Sequence, residues 1–121
     1  MSVELEGEPA SIARARHATR RFARACGADP DDLALAVSEA VTNALVHGYR
    51  HGERGLIELR GYVDGDRCVL EVADRGVGMR PHPGGRGLGV GLPVIGTVAE
   101  SVEIVGLEPG TTIRMRFPVG G

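Results

Sequence analysis

Two pairs of β-type runs, each closed by a short turn-forming sequence, constrain this chain more than any other feature in it. Leu56 to Val63 and Arg67 to Ala73 are joined by Asp64-Gly65-Asp66, a hairpin signal. Val102 to Leu107 and Thr112 to Phe117 are joined by Glu108-Pro109-Gly110-Thr111, a second one. Upstream, Val3 and Leu5 alternate with acids as a short strand. Apolar residues at Ile12, Ala15, Phe22 and Cys26 then recur at helical spacing, between Pro9 and Gly27 as start and stop signals. Arg14, Arg16, Arg20, Arg21 and Arg24 fall mostly elsewhere on that helical wheel, the pattern of a solvated face. A second helix opens at Asp29-Pro30-Asp31-Asp32, whose acids suit a helix N-terminus, and runs to about His47 before Gly48. A third, short helix begins near Leu92, with Pro93 in its first turn. Hairpins outnumber parallel crossovers in this order. The expectation is an α+β two-layer α/β sandwich, with a mixed or antiparallel sheet and three helices on one face.

At 121 residues the chain is the size of one domain, 1–121, and long enough to bury a core without a structural metal. The net charge of −2 gives no global attraction to nucleic acid or anionic membrane, and 3% aromatic residues leave little for base stacking. No apolar run approaches the length of a membrane span, and the first residues have neither the basic nor the apolar region of a signal peptide. Cys26 and Cys68 show no metal-ligand spacing and read as small core residues in a reducing cytoplasm. All the basic side chains other than histidine are arginines, so no lysine is available to hold a phosphate.

Chemistry concentrates in three segments. On the second helix, Glu39, Asn43 and His47 stand at i, i+4 and i+8 and form one polar ridge beside an apolar stripe. Such a ridge can simply face solvent, but an asparagine inside a helix carries a propensity cost and needs a reason. Its amide oxygen is a hard ligand of the kind Mg²⁺ accepts while keeping waters and substrate phosphates. Directly after a strand comes Asp74-Arg75-Gly76-Val77-Gly78, either a plain turn or a carboxylate placed to accept from an exocyclic amine. Then Gly84-Gly85-Arg86-Gly87-Leu88-Gly89-Val90-Gly91 leads into a helix, a junction whose backbone N–H groups suit phosphates. It is neither a Walker loop, which needs a lysine, nor a dinucleotide fingerprint, which needs different flanking elements.

The order of these segments says more than any one of them. E-x-x-x-N on a helix, DxGxG after a strand, a glycine box before a helix and Gly110-Thr111-Thr112 opening the last strand together resemble the GHKL superfamily of ATPases. That superfamily includes gyrase B and the catalytic domains of histidine kinases, and shares the Bergerat ATP-binding fold. The run from Ser38 to Tyr49 looks most like the anti-sigma factor serine/threonine kinases within it, and the resemblance covers nearly the whole chain. It implies ATP and Mg²⁺ as cofactors. It implies Glu39 as general base towards a partner's serine, Asn43 as the Mg²⁺ ligand and Asp74 as reader of the adenine amino group. Gly76 and Gly78 would shape the base pocket, Gly89 and Gly91 would turn N–H groups to the phosphates, and Thr112 would support Asp74. Arg86 is the nearest candidate for an arginine that meets the γ-phosphate, about one residue out of the family's register. The stretch between Gly78 and Gly89 is a short lid, which points to weakly bound or rapidly exchanging nucleotide. His47 is assigned to capping or packing.

The implied function is a cytoplasmic serine/threonine protein kinase that sequesters a sigma factor and phosphorylates a small anti-anti-sigma (STAS-type) protein, acting as a homodimer without touching nucleic acid or membrane. The alternative is a regulatory module that binds ATP without turnover and acts by sequestration alone.

Overall fold

The computed structural model describes residues 1–48, 55–74, 92–105 and 110–119. In chain order these form β1 (Ser2–Glu6), α1 (Ser11–Cys26), α2 (Pro30–Asn43), β2 (Leu56–Asp64), β3 (Arg67–Asp74), α3 (Leu92–Val98), β4 (Ser101–Val105) and β5 (Thr112–Pro118). The strands make one five-stranded sheet in the order β1-β2-β3-β5-β4, antiparallel at every described pairing. The sheet expected as mixed or antiparallel is therefore antiparallel; the two hairpin turns require this of β2–β3 and β4–β5, and β1–β2 and β3–β5 follow suit. The fold is α+β.

Cross-strand partners share a sheet face, so the register divides the residues into two sets. Leu5 with Ile57, and Leu59 with Val72 and Ile113, point to one side. So do Leu70 with Met115, and Cys68 with Phe117. All of these are buried, and they merge with Ala15, Ala23, Leu33, Val37, Ala40 and Val41 of the helices into one core. Glu58, Arg60, Tyr62, Glu71, Arg114 and Glu103 occupy the opposite face.

The helices begin and end where local chemistry dictates. Asp29 caps α2: its carboxylate accepts from the N–H groups of Asp31 (2.9 Å) and Asp32 (3.1 Å), with Pro30 where no donor is needed. The acids of Asp31 and Asp32 add a favourable interaction with the helix dipole. At the end of α1, Gly27 adopts φ 82° and returns its N–H to Ala23 O at 2.9 Å, a left-handed stop that a side chain would strain. The line Ala15, Thr19 and Ala23 is fully buried; of the residues that sequence periodicity marks, Ala15 lies on it, whereas Ile12, Phe22 and Cys26 are half-buried. Small residues on that line permit the close approach by which α1 packs along α2. Gly61 in β2 allows another close approach. A Cβ there would lie 3.1 Å from the Phe22 ring and 2.9 Å from Met1 Cε.

Two expectations are corrected. Cys26 and Cys68 are not separate thiols: they are joined by a disulfide across 42 residues, from the last residue of α1 to the second residue of β3. Nothing in their spacing along the chain reveals that the last turn of α1 comes to lie over this corner of the sheet. The α-helix expected to run to about His47 stops at Asn43 and continues as a π-helical turn, Ala44–Gly48. No helix among the described residues is long and apolar enough to cross a membrane.

Candidate functional site

The ridge on α2 is where polar chemistry meets the core. Ser38, Thr42 and Asn43 are the uncharged polar residues of α2 beyond the first turn, and two of them are satisfied locally. Ser38 Oγ donates to Ala34 O at 2.9 Å and Thr42 Oγ1 to Ser38 O at 2.7 Å, the back-bonding expected of hydroxyls inside a helix. Asn43 differs. It is 2% exposed, and among the described residues its buried Nδ2, like Thr19 Oγ1, has no hydrogen-bond partner. A buried amide with an unmade bond costs roughly 1–3 kcal/mol, so it calls for a reason. Glu39, one turn earlier, is half-buried. The π turn begins at the residue after Asn43, and π-bulges within α-helices often mark functional sites.

α2 packs against the elements that carry or follow the other motifs. It touches β3, which ends in Asp74; β5, which follows Thr111; and α3, which follows Gly91. The π turn also reaches β3. Asp74 is 5% exposed and belongs to the helix-facing side of the sheet, opposite Ile57 in the register. Its N–H donates to Thr111 O at 2.9 Å. Asn43 and Asp74 are thus buried polar groups on packed neighbouring elements.

The structure separates Thr112 from that pair. Thr112 lies opposite Ala73 and Val105, on the far face of the sheet, whereas Thr111 is 1% exposed and bonded through its carbonyl to Asp74. The threonine bonded to the backbone of the strand-end Asp74 is Thr111. A shift of one position reverses the face in a strand, and two adjacent threonines offer a sequence reading no means of choosing between them. Gly76, Gly78, Arg86, Gly89 and Gly91 lie outside the described residues, as does the side chain of His47.

On the opposite face the strands carry an ionic ladder that sequence reading missed. Glu71, with its side chain 5% exposed, accepts from Arg114 Nε at 2.7 Å, Arg60 Nη2 at 2.9 Å and the Tyr62 hydroxyl at 3.0 Å. Glu103 pairs with Arg116 and Arg114, and Arg67 with Glu100 and Asp66. Period-two alternation of charge along β2, β3 and β5 was the available signal. The ladder ties β2, β3 and β5 together on the side away from Asn43 and Asp74.

An antiparallel sheet covered on one side by helices, with a buried asparagine and a buried strand-end aspartate on packed elements, defines the class. The chain belongs to the histidine kinase-like ATPase domain family, whose model matches residues 5–117. Among curated relatives, the anti-sigma F factor of Clostridium beijerinckii is 30% identical over 118 residues, covering 86% of this chain and 82% of that protein. The anti-sigma F factor of a Thermoanaerobacter species is 33% identical over 101 residues, covering 74% and 70%. The serine-protein kinase RsbW of Bacillus licheniformis is 33% identical over 102 residues, covering 72% and 63%.

Proposed function

We propose that this protein is an anti-sigma factor serine/threonine kinase that binds ATP with Mg²⁺, sequesters a sigma factor and phosphorylates an anti-anti-sigma (STAS-type) protein. It acts in the cytoplasm as a homodimer. The observation that carries the reading is Asn43, a side-chain amide buried one turn after a half-buried carboxylate, whose oxygen is a hard ligand and whose Nδ2 donor has no partner among the described residues. The donor set fits the cofactor. An amide oxygen and a carboxylate are hard oxygen ligands, and Mg²⁺ takes few of these from protein when phosphates and water supply the rest.

In this reading Asn43 holds the metal through its side-chain oxygen, and Glu39 accepts or polarises the proton of the incoming hydroxyl. Asp74 accepts from the adenine amino group, and Thr111 rather than Thr112 steadies it from the next strand. Gly76 and Gly78 shape the base pocket, Gly89 and Gly91 present N–H groups to the phosphates, and Arg86 meets the terminal phosphate. Bound Mg-ATP supplies the phosphoryl group and most of its charge neutralisation; the chain supplies position and a base.

The test is a pair of substitutions that fail differently. Asn43→Ala removes the metal ligand, so Mg-ATP affinity and phosphotransfer fall together. Glu39→Ala leaves that ligand in place, so calorimetry still shows ATP binding while transfer of label to a partner drops by roughly 10²–10⁴-fold. Transfer at the wild-type rate in Glu39→Ala would remove the base assignment. A wild type that binds ATP and partner but transfers nothing would establish the alternative, a module acting by sequestration alone.

A further inference from the structure

We propose that Cys26 and Cys68 form a reversible thiol–disulfide site, opened by a dithiol reductant attacking Cys26 Sγ, and that its state sets how firmly the C-terminal half of α1 is anchored to the sheet.

Three observations carry this. The two cysteines are bonded, and they join the helix layer to the sheet layer at one corner. Their exposures differ: Cys68 is fully buried on the core face of β3, whereas Cys26 is half-buried at the last residue of α1. The segment that ends at this bond carries Arg20, Arg21 and Arg24 in its last two turns, so the bond tethers the arginine-rich end of the helix. A nucleotide-binding protein of the cell interior works among reducing thiols, where a disulfide is commonly transient, catalytic or redox-sensing. That compartment argument rests on the function proposed above; the bond and the exposures do not.

The difference in exposure fixes the direction of exchange. A thiolate of the dithiol attacks Cys26 Sγ, forming a mixed disulfide there, and the bond to Cys68 breaks. Cys68 Sγ leaves with the electron pair and takes up a proton. The second thiol of the reductant then attacks its own sulfur in the mixed disulfide, closes a ring and releases Cys26 as a thiol. One protein disulfide and one dithiol become two protein thiols and one oxidised dithiol. Oxidised glutathione drives the reverse.

The bond lies far from the proposed nucleotide site. Cys68 and Asp74 are six residues apart in one strand, about 20 Å at strand rise. Reduction should therefore loosen the end of α1 and spare ATP binding. What remains there is the Gly27 turn, the buried packing of Thr19 and Ala23, the half-buried Phe22 and the Arg20–Asp31 ion pair at 3.5 Å.

The experiment uses the full chain, oxidised with oxidised glutathione and then titrated with dithiothreitol without denaturant. The expected result is two titratable thiols after reduction, and one disulfide again after reoxidation. Trapping with the monothiol glutathione should place the adduct on Cys26 by peptide mass mapping. Amide exchange in residues 19–26 should rise by roughly tenfold or more in the reduced protein, since local opening there no longer breaks a covalent tether. Cys68→Ala should reproduce that rise under oxidising conditions; if this variant does not fold, the reduced wild type provides the same reading. ATP titration is run on both redox forms as a separate readout, so failure to bind nucleotide would count against the proposed function and not against the thiol site. Absence of the bond in the oxidised protein, reduction only after unfolding, an adduct on Cys68, or unchanged exchange in α1 would each overturn the proposal.

Discussion

Glu71 shows how a buried carboxylate on an outer sheet face is made tolerable. Burial by itself would raise its pKa, but hydrogen bonds from Arg114, Arg60 and Tyr62 outweigh that and hold it below the ordinary value of 4.5. Three donors on one carboxylate satisfy it more fully than a single surface ion pair would. A folded-state pKa below the unfolded one contributes stability that is complete above the unfolded value. That contribution is lost as pH falls through the folded value. Glu71→Gln should therefore cost about 1–3 kcal/mol at pH 7, because charge-assisted bonds become neutral ones. The gap from wild type should narrow as the pH is taken below about 4.5. Urea midpoints at pH 7, 5, 4 and 3 test this, and pH profiles that run parallel would contradict it. Asn43 presents the opposite situation, a buried polar group left unmatched, and the two residues lie on opposite sides of the sheet. One braces the strands; the other keeps a buried Nδ2 with no partner among the described residues.

At the scale of elements, α2 is the piece on which the site depends, and its start is set by a few hydrogen bonds. Asp29 accepts two backbone N–H groups that would otherwise lack partners, and the helix then carries Glu39 and Asn43 into the contact with β3, β5 and α3. Asp29→Ala should destabilise the protein by roughly 0.5–2 kcal/mol, and Asp29→Asn by clearly less, because an amide oxygen still accepts. Thermal or urea unfolding measures both. If Asn also cost the full amount, the effect would belong to charge at the helix N-terminus and not to the cap. The π turn after Asn43 marks where α2 leaves its regular path, so the last polar residue of the α-helix sits at a fixed break and not along a continuing spiral.

At the scale of the molecule, ligand binding and stability are linked. If Asp74 selects adenine, Mg-ATP at about a hundred times its dissociation constant adds roughly 2.7 kcal/mol to the folded state. For a chain of this length that raises Tm by on the order of 10 °C. GTP at the same concentration should raise it far less. Asp74→Ala, losing a charge-assisted bond worth roughly 1.5–3 kcal/mol, should weaken ATP by about one to two orders of magnitude and bring the two nucleotides together. Differential scanning fluorimetry with each nucleotide distinguishes these outcomes, and equal shifts for ATP and GTP in the wild type would remove the role given to Asp74.

Local signals in the chain were enough to determine its elements and their order. The hairpin turn at Gly65, the cap at Asp29 and the stop at Gly27 each act through a few neighbouring residues, so each is legible without a fold. The order of the Glu39–Asn43 ridge, the Asp74 loop and the glycine boxes was likewise a matter of sequence, and it pointed to the family that the match over residues 5–117 shows. Only the tertiary structure decided what depends on two distant segments meeting. It joined Cys26 to Cys68, put Thr111 on the helix side and Thr112 on the far face by register, assembled the ladder around Glu71 from three strands and left the buried Asn43 Nδ2 with no partner among the described residues. The reason is physical. Helix caps and turns are satisfied within a few bonds of the chain, whereas burial, register and disulfide partnership are properties of the packed sheet and of the helices laid across it.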